Sequence, residues 1–484
     1  MHTNRSLREK LILAALAGIL LRLFFIWRFP STGGDTPLYE ALAQNWLDHG
    51  VFGIFVDGRL VPTDLRPPGY PGFLAAVYGL FGRSQFAVMA AQAVTDTITC
   101  FLVAALAASL AGRTTQARVS PERVAVAAMW LAALCPFTAN YVAVPLTEVL
   151  AIFFTVLTLL LLLKAWERSD RGGAHETNYT CWLLPGMAAG MGTLVRPETP
   201  LLLAAGGLVL AIYWLPRRQW LRLFRSGLWM AAGLALVLLP WGVRNMRTLG
   251  RPQFLAARYA EMPGEFVAHG FYNWTQTWLV RFRDVYLSIW KLEDEPIDIN
   301  SLPARAFDSP EERERIAAIL EDYNNTLTMT AQLDAQFAEI ARERTRRHPL
   351  RTYLTVPAGR AVTMWLTPRV EQLPYSGHLW PPAARYEDDP VDFSVTVGLG
   401  ALNIFYIALA LTAVALALRR AGGIKTFFAL EDPTSRGVAL LAAFIVVRTL
   451  FFTQMEAPEP RYLLECYPAV IVLGALVPFL RAPI

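Results

Sequence analysis

Ten apolar runs, each near the ~20 residues that a helix needs to cross hydrocarbon, constrain this chain more than any other feature. They lie at about 11–29, 84–111, 122–138, 144–164, 180–195, 200–215, 226–243, 393–418, 436–453 and 463–480. Some are short and two carry arginine near an end, so about ten spans are expected, within a range of nine to twelve. The expected fold is therefore an all-α, polytopic transmembrane helix bundle. Composition agrees: of 484 residues 54% are hydrophobic and only 17% charged, too apolar for an ordinary soluble domain. The net charge of +5 is modest for this length and reads as loop arginine that orients the protein in the membrane, so nucleic acid is not expected as a partner. The first run follows Arg5, Arg8 and Lys10, lacks a small-residue cleavage site and continues into Trp27-Arg28-Phe29-Pro30, which reads as a retained span.

Charge in the connections sets an orientation. The N-terminal cluster, Arg113/Arg118/Arg123, Lys164/Arg168/Arg171, Arg217/Arg218/Arg222/Arg225, Arg419/Arg420/Lys425 and Arg481 all fall on alternate connections. The positive-inside rule then puts them, and both termini, on the cytoplasmic side. Two longer segments are left for the opposite face, 30–83 and 244–392. This divides the chain into a core of 1–243 that includes the exterior loop 30–83, an exterior helical segment 244–392, and closing spans in 393–484.

The first exterior loop opens with Gly33-Gly34-Asp35-Thr36-Pro37, which reads as a turn, an N-cap and a proline in the first helical turn. An amphipathic helix is predicted from Leu38 to Asp48. After Arg66-Pro67-Pro68-Gly69-Tyr70-Pro71 comes an apolar stretch to Phe81, too rich in Gly and Pro for a span, that predicts a second juxtamembrane or re-entrant helix. The second exterior segment predicts a charged helix over Pro310–Arg347, with Ile316, Ile319, Leu320 and Tyr323 on its apolar face, and an aromatic stretch Tyr353–Trp365 against the membrane surface.

With this topology, polar residues from distant segments reach the outer membrane boundary: Asp35, Arg66, Glu148, Arg196, Glu198, Arg244, Glu456, Glu459 and Arg461. Ionisable groups beside hydrocarbon are costly, and such groups pair, line cavities or work. Several arginines among carboxylates suit an anionic lipid headgroup, because guanidinium binds phosphate in a two-pronged fork. Each residue also has a structural reading. Asp35 fits an N-cap, Glu148 a complement to a helix dipole, Arg196 and Glu198 an ion pair about Pro197, and Arg244 and Arg461 side chains that snorkel to headgroups. The four cysteines, Cys100, Cys135, Cys181 and Cys466, form no metal-ligand spacing and are expected as buried thiols; His269 and His378 have no ligand partner, and no metal site is expected.

The ordered motifs carry a resemblance. Gly34-Asp35-x-x-x-Tyr39, Arg66-Pro67-Pro68-Gly69-Tyr70-Pro71, Leu146-Thr147-Glu148, Gly192-Thr193-Leu194-Val195-Arg196-Pro197-Glu198, Pro240-Trp241-x-x-Arg244-Asn245 and Arg461-Tyr462-Leu463-Leu464 follow one another in the chain. In that order they resemble the bacterial GT-C membrane glycosyltransferases of the protein-mannosyltransferase and aminoarabinose-transferase superfamily, and look most like its RgtA/B/C/D-like branch. The resemblance implies transfer of a sugar from a polyprenyl-phosphate carrier to a glycan, lipid or protein acceptor, on the outer face of a bacterial inner membrane. It also implies that Asp35 is the catalytic base. Arg66, Arg244 and Arg461 are candidates for the carrier phosphate, with Tyr39, Tyr70, Glu148, Arg196, Glu198 and Tyr462 around the pocket. Such a reaction inverts the anomeric carbon and needs no metal or other cofactor if arginine takes up the phosphate charge. Related enzymes often carry lysine before the Pro-Pro pair, where Arg66 keeps the charge, and an acid directly before that cation, where Leu65 stands and Asp64 lies one residue further back. The alternative function is a transporter or flippase of lipid-linked sugars. That reading calls for mid-membrane sites on broken helices and two repeated halves, neither of which the sequence displays.

Overall fold

The computed structural model describes residues 2–111, 119–171, 179–256 and 266–481, so Arg113 and Arg118 of the second basic loop lie outside the described residues. The chain divides into two compact units, one of Met1–Ala257, Gln372–Val447 and Leu464–Ile484, the other of Arg258–Glu371 and Arg448–Leu463.

In the first unit α1 (His2–Arg28) leads into the loop that carries Asp35, then α2 (Thr36–His49), the strands β1 (Gly53–Val56) and β2 (Arg59–Pro62), and α3 (Gly69–Phe81). There follow α4 (Gln85–Ala111), α5 (Pro121–Ala133), α6 (Pro136–Ala139), α7 (Glu148–Arg171), α8 (Leu183–Val195), α9 (Leu201–Trp214) and α10 (Trp220–Leu249). The second unit contributes α11 (His269–Gln276), α12 (Phe282–Tyr286), α13 (Pro310–Thr326), α14 (Ala331–Arg347) and α15 (Val356–Trp365). Beyond it run α16 (Pro382–Asp388), α17 (Pro390–Arg420), α18 (Ile424–Ala429), α19 (Pro433–Phe452), α20 (Tyr467–Ala475) and α21 (Val477–Arg481).

The all-α class is borne out, and the structure refines the number of spans. Among the described residues seven helices are long and apolar enough to cross a membrane, or eight if the bent pair Pro121–Ala133 and Pro136–Ala143 is one span. The bend of 51° falls at Cys135-Pro136, where the proline lacks the N–H that would continue the helix. The remaining runs, 180–195 and 200–215, fold as α8 and α9 of 13 and 14 residues, each only about 20 Å long. They are short because Pro197 and Pro200 interrupt the apolar sequence, and the turn between them holds Arg196 and Glu198.

Between α2 and α3 the chain departs from helix, β1 and β2 pairing antiparallel with Val56 opposite Arg59. Asp57 and Gly58 both adopt positive φ, 49° and 75°, the requirement of a two-residue type I′ turn. The Asp-Gly pair between the short apolar runs Ile54-Phe55-Val56 and Leu60-Val61 is the sequence signal for this hairpin, and a reading confined to helices passes over it.

Inside the apolar bundle, Arg22 of α1 joins Asp96 of α4 through Nε at 2.8 Å, and its Nη1 donates to the carbonyls of Gly18 at 2.8 Å and Ala133 at 2.9 Å. Both side chains are almost wholly buried. This cross-link among α1, α4 and α5 lies within runs that read simply as apolar. At the end of the unit where α7 and α9 finish, Arg436 pairs with Asp170 and donates to the Tyr213 hydroxyl at 2.6 Å, while Arg217 donates to the Ala429 carbonyl at 2.9 Å. Several of the basic connections therefore meet at one end of the unit.

In the second unit, the expected helix over Pro310–Arg347 is two helices, α13 and α14, broken where Leu327 takes φ 51°. Ile316, Ile319, Leu320 and Tyr323 are buried together with Phe271, Trp274 and Phe337, as their spacing predicts. Arg360 is buried on α15 and donates to four backbone carbonyls, those of Leu279, Thr453, Met455 and Gln276, at 2.8 to 3.1 Å. Burial lowers its pKa to about 10, so it stays charged at neutral pH.

Breaking the Arg22–Asp96 pair from one side leaves a buried charge. Arg22→Met or Asp96→Leu alone is expected to lower stability by about 3–5 kcal/mol, and the double variant to recover most of it. Thermal unfolding of the detergent-solubilised protein measures both effects.

Candidate functional site

Asp35 stands immediately before α2, where the sequence admits an N-cap. Its backbone is helical, φ −82° and ψ −11°, and its side chain makes no capping hydrogen bond. Instead Oδ1 accepts from Nη2 of Arg66 at 3.1 Å, with the two side chains 31% and 27% exposed. The pair is thus reachable from outside and held at a fixed separation. The loop is fastened beneath: Ser31 N–H donates to the Ala143 carbonyl at 3.1 Å and the Thr36 hydroxyl to Pro145 at 3.1 Å. A Cβ on Gly33 would come within 2.8 Å of Leu146, so glycine is what lets the loop approach. No such contact surrounds Gly34.

Tyr39, one turn into α2, is buried edge-on against Tyr70 with ring centroids 5.1 Å apart. Burial pushes its pKa up to about 12; the charges of Asp35 and Glu148 add to the rise while Arg66 and Arg196 oppose it. Tyr39 therefore lies within the field of both ion clusters and stays a neutral donor at physiological pH. Tyr70 donates to Gln92 Oε1 at 2.8 Å, and the Gln92 amide is spread over the carbonyls of Tyr141, Val142 and Val144. These bonds fix the start of α3 beside the chain that leads into α7. Gly69 supports the same packing, since a Cβ there would meet the Leu194 carbonyl at 2.5 Å.

The second cluster is centred on Arg196, at the junction of α8 and α9. Its Nη1 donates to Glu148 Oε1 at 3.1 Å, its Nε to Glu198 Oε1 at 2.8 Å, and its Nε also lies 3.4 Å from Glu465 Oε1. The other oxygen of Glu465 accepts from Thr155 at 3.1 Å. Glu148, Arg196 and Glu198 come together as expected. Glu465 is the member that the sequence reading missed. It follows the Arg461-Tyr462-Leu463-Leu464 motif directly, and its place at the head of an apolar run was the available signal.

Arg244 grips the hairpin. It donates to the Phe52 and Thr63 carbonyls at 2.6 and 2.7 Å and to Asn245 Oδ1 at 2.8 Å, with its guanidinium 5.0 Å from the Trp241 ring centroid. Asp64 is buried and accepts from Arg251 at 2.6 Å, so it is engaged away from the Asp35 carboxylate's own cation. A cavity of about 490 Å³ opens beside Arg244, lined mainly by Trp46, Phe52, Pro68, Leu194, Pro240 and Trp241.

Arg461 and Tyr462 belong to the second unit. Arg461 pairs with Glu459, the Tyr462 hydroxyl donates to the other oxygen of Glu459 at 3.1 Å, and the Tyr462 ring stacks on Phe452 at 4.8 Å. Glu456 accepts from Gln276 at 2.9 Å in the same unit. Cys100, Cys135 and Cys466 are buried and Cys181 is partly exposed, none of the four in a disulfide. Among the described residues no group of three or more His, Cys, Asp or Glu is placed to hold a metal ion.

Residues 65–243 match the protein family described as dolichyl-phosphate-mannose-protein mannosyltransferase. The segment contains Arg66, Tyr70, Glu148, Arg196 and Glu198, while Asp35, Tyr39 and Arg244 fall outside it. This match bears out the resemblance to the GT-C membrane glycosyltransferases. Curated protein sequences yield no match. Among solved structures, the Archaeoglobus fulgidus oligosaccharyltransferase tethered with an acceptor peptide aligns with TM-score 0.48 and 15% identity, over 97% of this chain and 49% of its own. AglB from the same organism, in complex with an inhibitory peptide and a dolichol-phosphate, aligns with TM-score 0.48 and 14% identity, over 98% and 50%. ArnT from Cupriavidus metallidurans bound to undecaprenyl phosphate gives TM-score 0.40 and 14% identity, over 97% and 77%. The chain spans about half the length of the oligosaccharyltransferases it matches.

Two outcomes follow from this geometry. Removing Arg196 takes away the guanidinium that Glu148, Glu198 and Glu465 share, so Arg196→Met is expected to cost about 3–5 kcal/mol of stability, with part regained on adding Glu465→Gln; thermal unfolding reads both. Tyr39 binds its proton more tightly folded than unfolded, because its pKa rises from 10.0 to about 12. Its contribution is therefore fully present below pH 10 and is lost as pH rises through 12. Tyr39→Phe should flatten that part of the alkaline stability curve relative to the parent.

Proposed function

We propose that the chain is a membrane glycosyltransferase that moves a sugar from a polyprenyl-phosphate carrier to an acceptor, with Asp35 as general base. The observation that carries this reading is the Asp35–Arg66 pair: an accessible carboxylate that caps no helix, joined to an accessible guanidinium at 3.1 Å. The acceptor O–H or N–H attacks the anomeric carbon from the face opposite the phosphate, and its proton passes to Asp35. The bond from that carbon to the phosphate oxygen breaks, and the electron pair leaves on the lipid phosphate. Configuration is thereby inverted. Arg66, paired with Asp35, brings a guanidinium charge to the site to offset the charge that develops on the leaving phosphate.

The other candidates take graded roles. Tyr39 supplies a neutral hydroxyl between the two ion clusters, and Tyr70 holds it in place. Glu148, Arg196 and Glu198 fix the floor on which the Asp35 loop rests. Arg244 holds the hairpin and the wall of the apolar cavity, which suits the isoprenoid units next to the phosphate; its donors to Phe52 and Thr63 make that positioning role the stronger one. Arg461 and Tyr462 remain proposed contacts to the carrier phosphate and pocket. Arginine supplies the charge that a divalent cation would otherwise bring, so transfer is proposed to persist in a chelator. The enzyme is placed in a bacterial inner membrane with both termini cytoplasmic and the Asp35 face outside.

Asp35→Asn keeps the shape of the site and removes the base. Transfer is expected to fall about 10²- to 10⁴-fold, the range of general-base contributions. The assay is mass spectrometry of lipid-linked sugars and acceptor glycans in cells lacking the parent and carrying the variant. Near-normal transfer by Asp35→Asn would overturn the mechanism, and an unchanged lipid and glycan profile on loss of the whole protein would overturn the transferase reading.

A further inference from the structure

The second unit presents a helix face that sugar transfer does not use. The turn Arg351–Thr355 runs on into α15. On one side, Met364 packs against Phe452 and Leu463, and Trp365 Nε1 donates to the Thr449 hydroxyl at 3.1 Å. Arg360 on the same side holds the Thr453 and Met455 carbonyls. Thr449 and Phe452 form the last turn of α19, one of the helices long and apolar enough to span a membrane. This side of α15 is therefore seated where that span ends.

The other side is apolar and uncovered. Leu350, Leu354, Val362 and Leu366 are 74, 64, 56 and 58% exposed, with the exposed Ala358 between them, so an uncovered apolar strip runs at four-residue spacing through the turn and α15. Tyr353 stands exposed beside it. Immediately before the stripe, the last turns of α14 expose Arg342 and Arg346, while Arg347 is paired with Glu343 and Glu312. The sequence led to an aromatic stretch over Tyr353–Trp365 at the surface. In the structure Trp365 turns inward to Thr449, and most of the outward face is aliphatic.

A helix fixed at a span's end, with an apolar stripe outward and exposed arginines at its start, has the chemistry of an element lying in the membrane interface. We propose that this helix lies in the headgroup layer of the bilayer, its stripe turned to the acyl chains and the α14 arginines on anionic phospholipid headgroups. A phospholipid surface is favoured over a protein partner because the helix is anchored at a span end and because the flanking charge is basic, complementary to anionic lipid. The inference is independent of the transfer reading and stands or falls separately from it.

The test uses the full chain in nanodiscs of phosphatidylcholine, alone or mixed with phosphatidylglycerol. In a Cys181→Ser background, an environment-sensitive fluorophore is attached at Leu354→Cys, at Val362→Cys, and at the exposed α13 position Glu321→Cys for comparison. Lipids brominated on the acyl chains are expected to quench the probes at 354 and 362 several-fold more than the probe at 321, and aqueous iodide to do the reverse. Phosphatidylglycerol should deepen the lipid quenching, and Arg342→Gln with Arg346→Gln should abolish that increment. Iodide quenching at 362 equal to that at 321 would place the stripe in water and overturn the proposal. Protection from both quenchers would show a protein cover and overturn it equally. Lipid quenching that ignores phosphatidylglycerol would overturn the headgroup contact.

Discussion

Three carboxylates gather around one guanidinium at the junction of α8 and α9, and the polar end of the first unit is organised about that cluster. Glu148 brings the start of α7, Glu198 the turn into α9, and Glu465 the approach to α20. None could be buried at the edge of an apolar bundle unpaired without a large desolvation cost, so Arg196 makes their common location possible. With those helix ends fixed, the chain between α5 and α7 offers the carbonyls of Ala143 and Pro145 on which the Asp35 loop rests. Tyr39 lies in the field of both clusters, so the resting place of the loop and the electrostatics of its carboxylate are linked.

The same physics recurs wherever charge enters apolar surroundings. Arg22 is satisfied by Asp96 and two carbonyls, and Arg360 by four carbonyls. Arginine suits such places because its planar fork spreads one charge over several acceptors and carries it far above neutral pH. In each case a single side chain ties together segments distant in sequence, which gives the bundle specific registry where apolar contact alone would leave helices free to slide.

The large elements were legible because lipid imposes simple demands. An apolar run of span length must be a helix, and the helices of the second unit announced themselves by periodicity, as Ile316, Ile319, Leu320 and Tyr323 illustrate. The shortness of α8 and α9 was less legible, since mean hydropathy marks the runs 180–195 and 200–215 as apolar but does not register that their helices reach only 13 and 14 residues. The site was partly legible. Glu148, Arg196 and Glu198 meet as their positions at helix ends suggested, and Asp35 and Arg66 pair across 31 residues. Glu465 was hidden because only tertiary packing brings it to Arg196. Arg244 was read as a candidate for the carrier phosphate or a snorkelling side chain, whereas the hairpin it holds was announced by an Asp-Gly turn that a helix-only reading discounts.

The way Arg244 holds that hairpin sets what can vary around the site. Its two carbonyl contacts, Phe52 and Thr63, lie at the base of the hairpin, and the Thr63 N–H closes the same base by donating to the Phe52 carbonyl at 3.1 Å. The tip distal to that closure, the Asp57-Gly58 turn between Val56 and Arg59, can change in length or side chain without altering the separation of its two feet, whereas Ile54 packs on Leu42 and Trp241 and Phe55 meets His49. The position of Arg66, three residues beyond the second foot, is thus insulated from the tip. A clamp at the neck and a free tip let the outer surface of the loop diverge quickly while the charged pair beneath it stays in register.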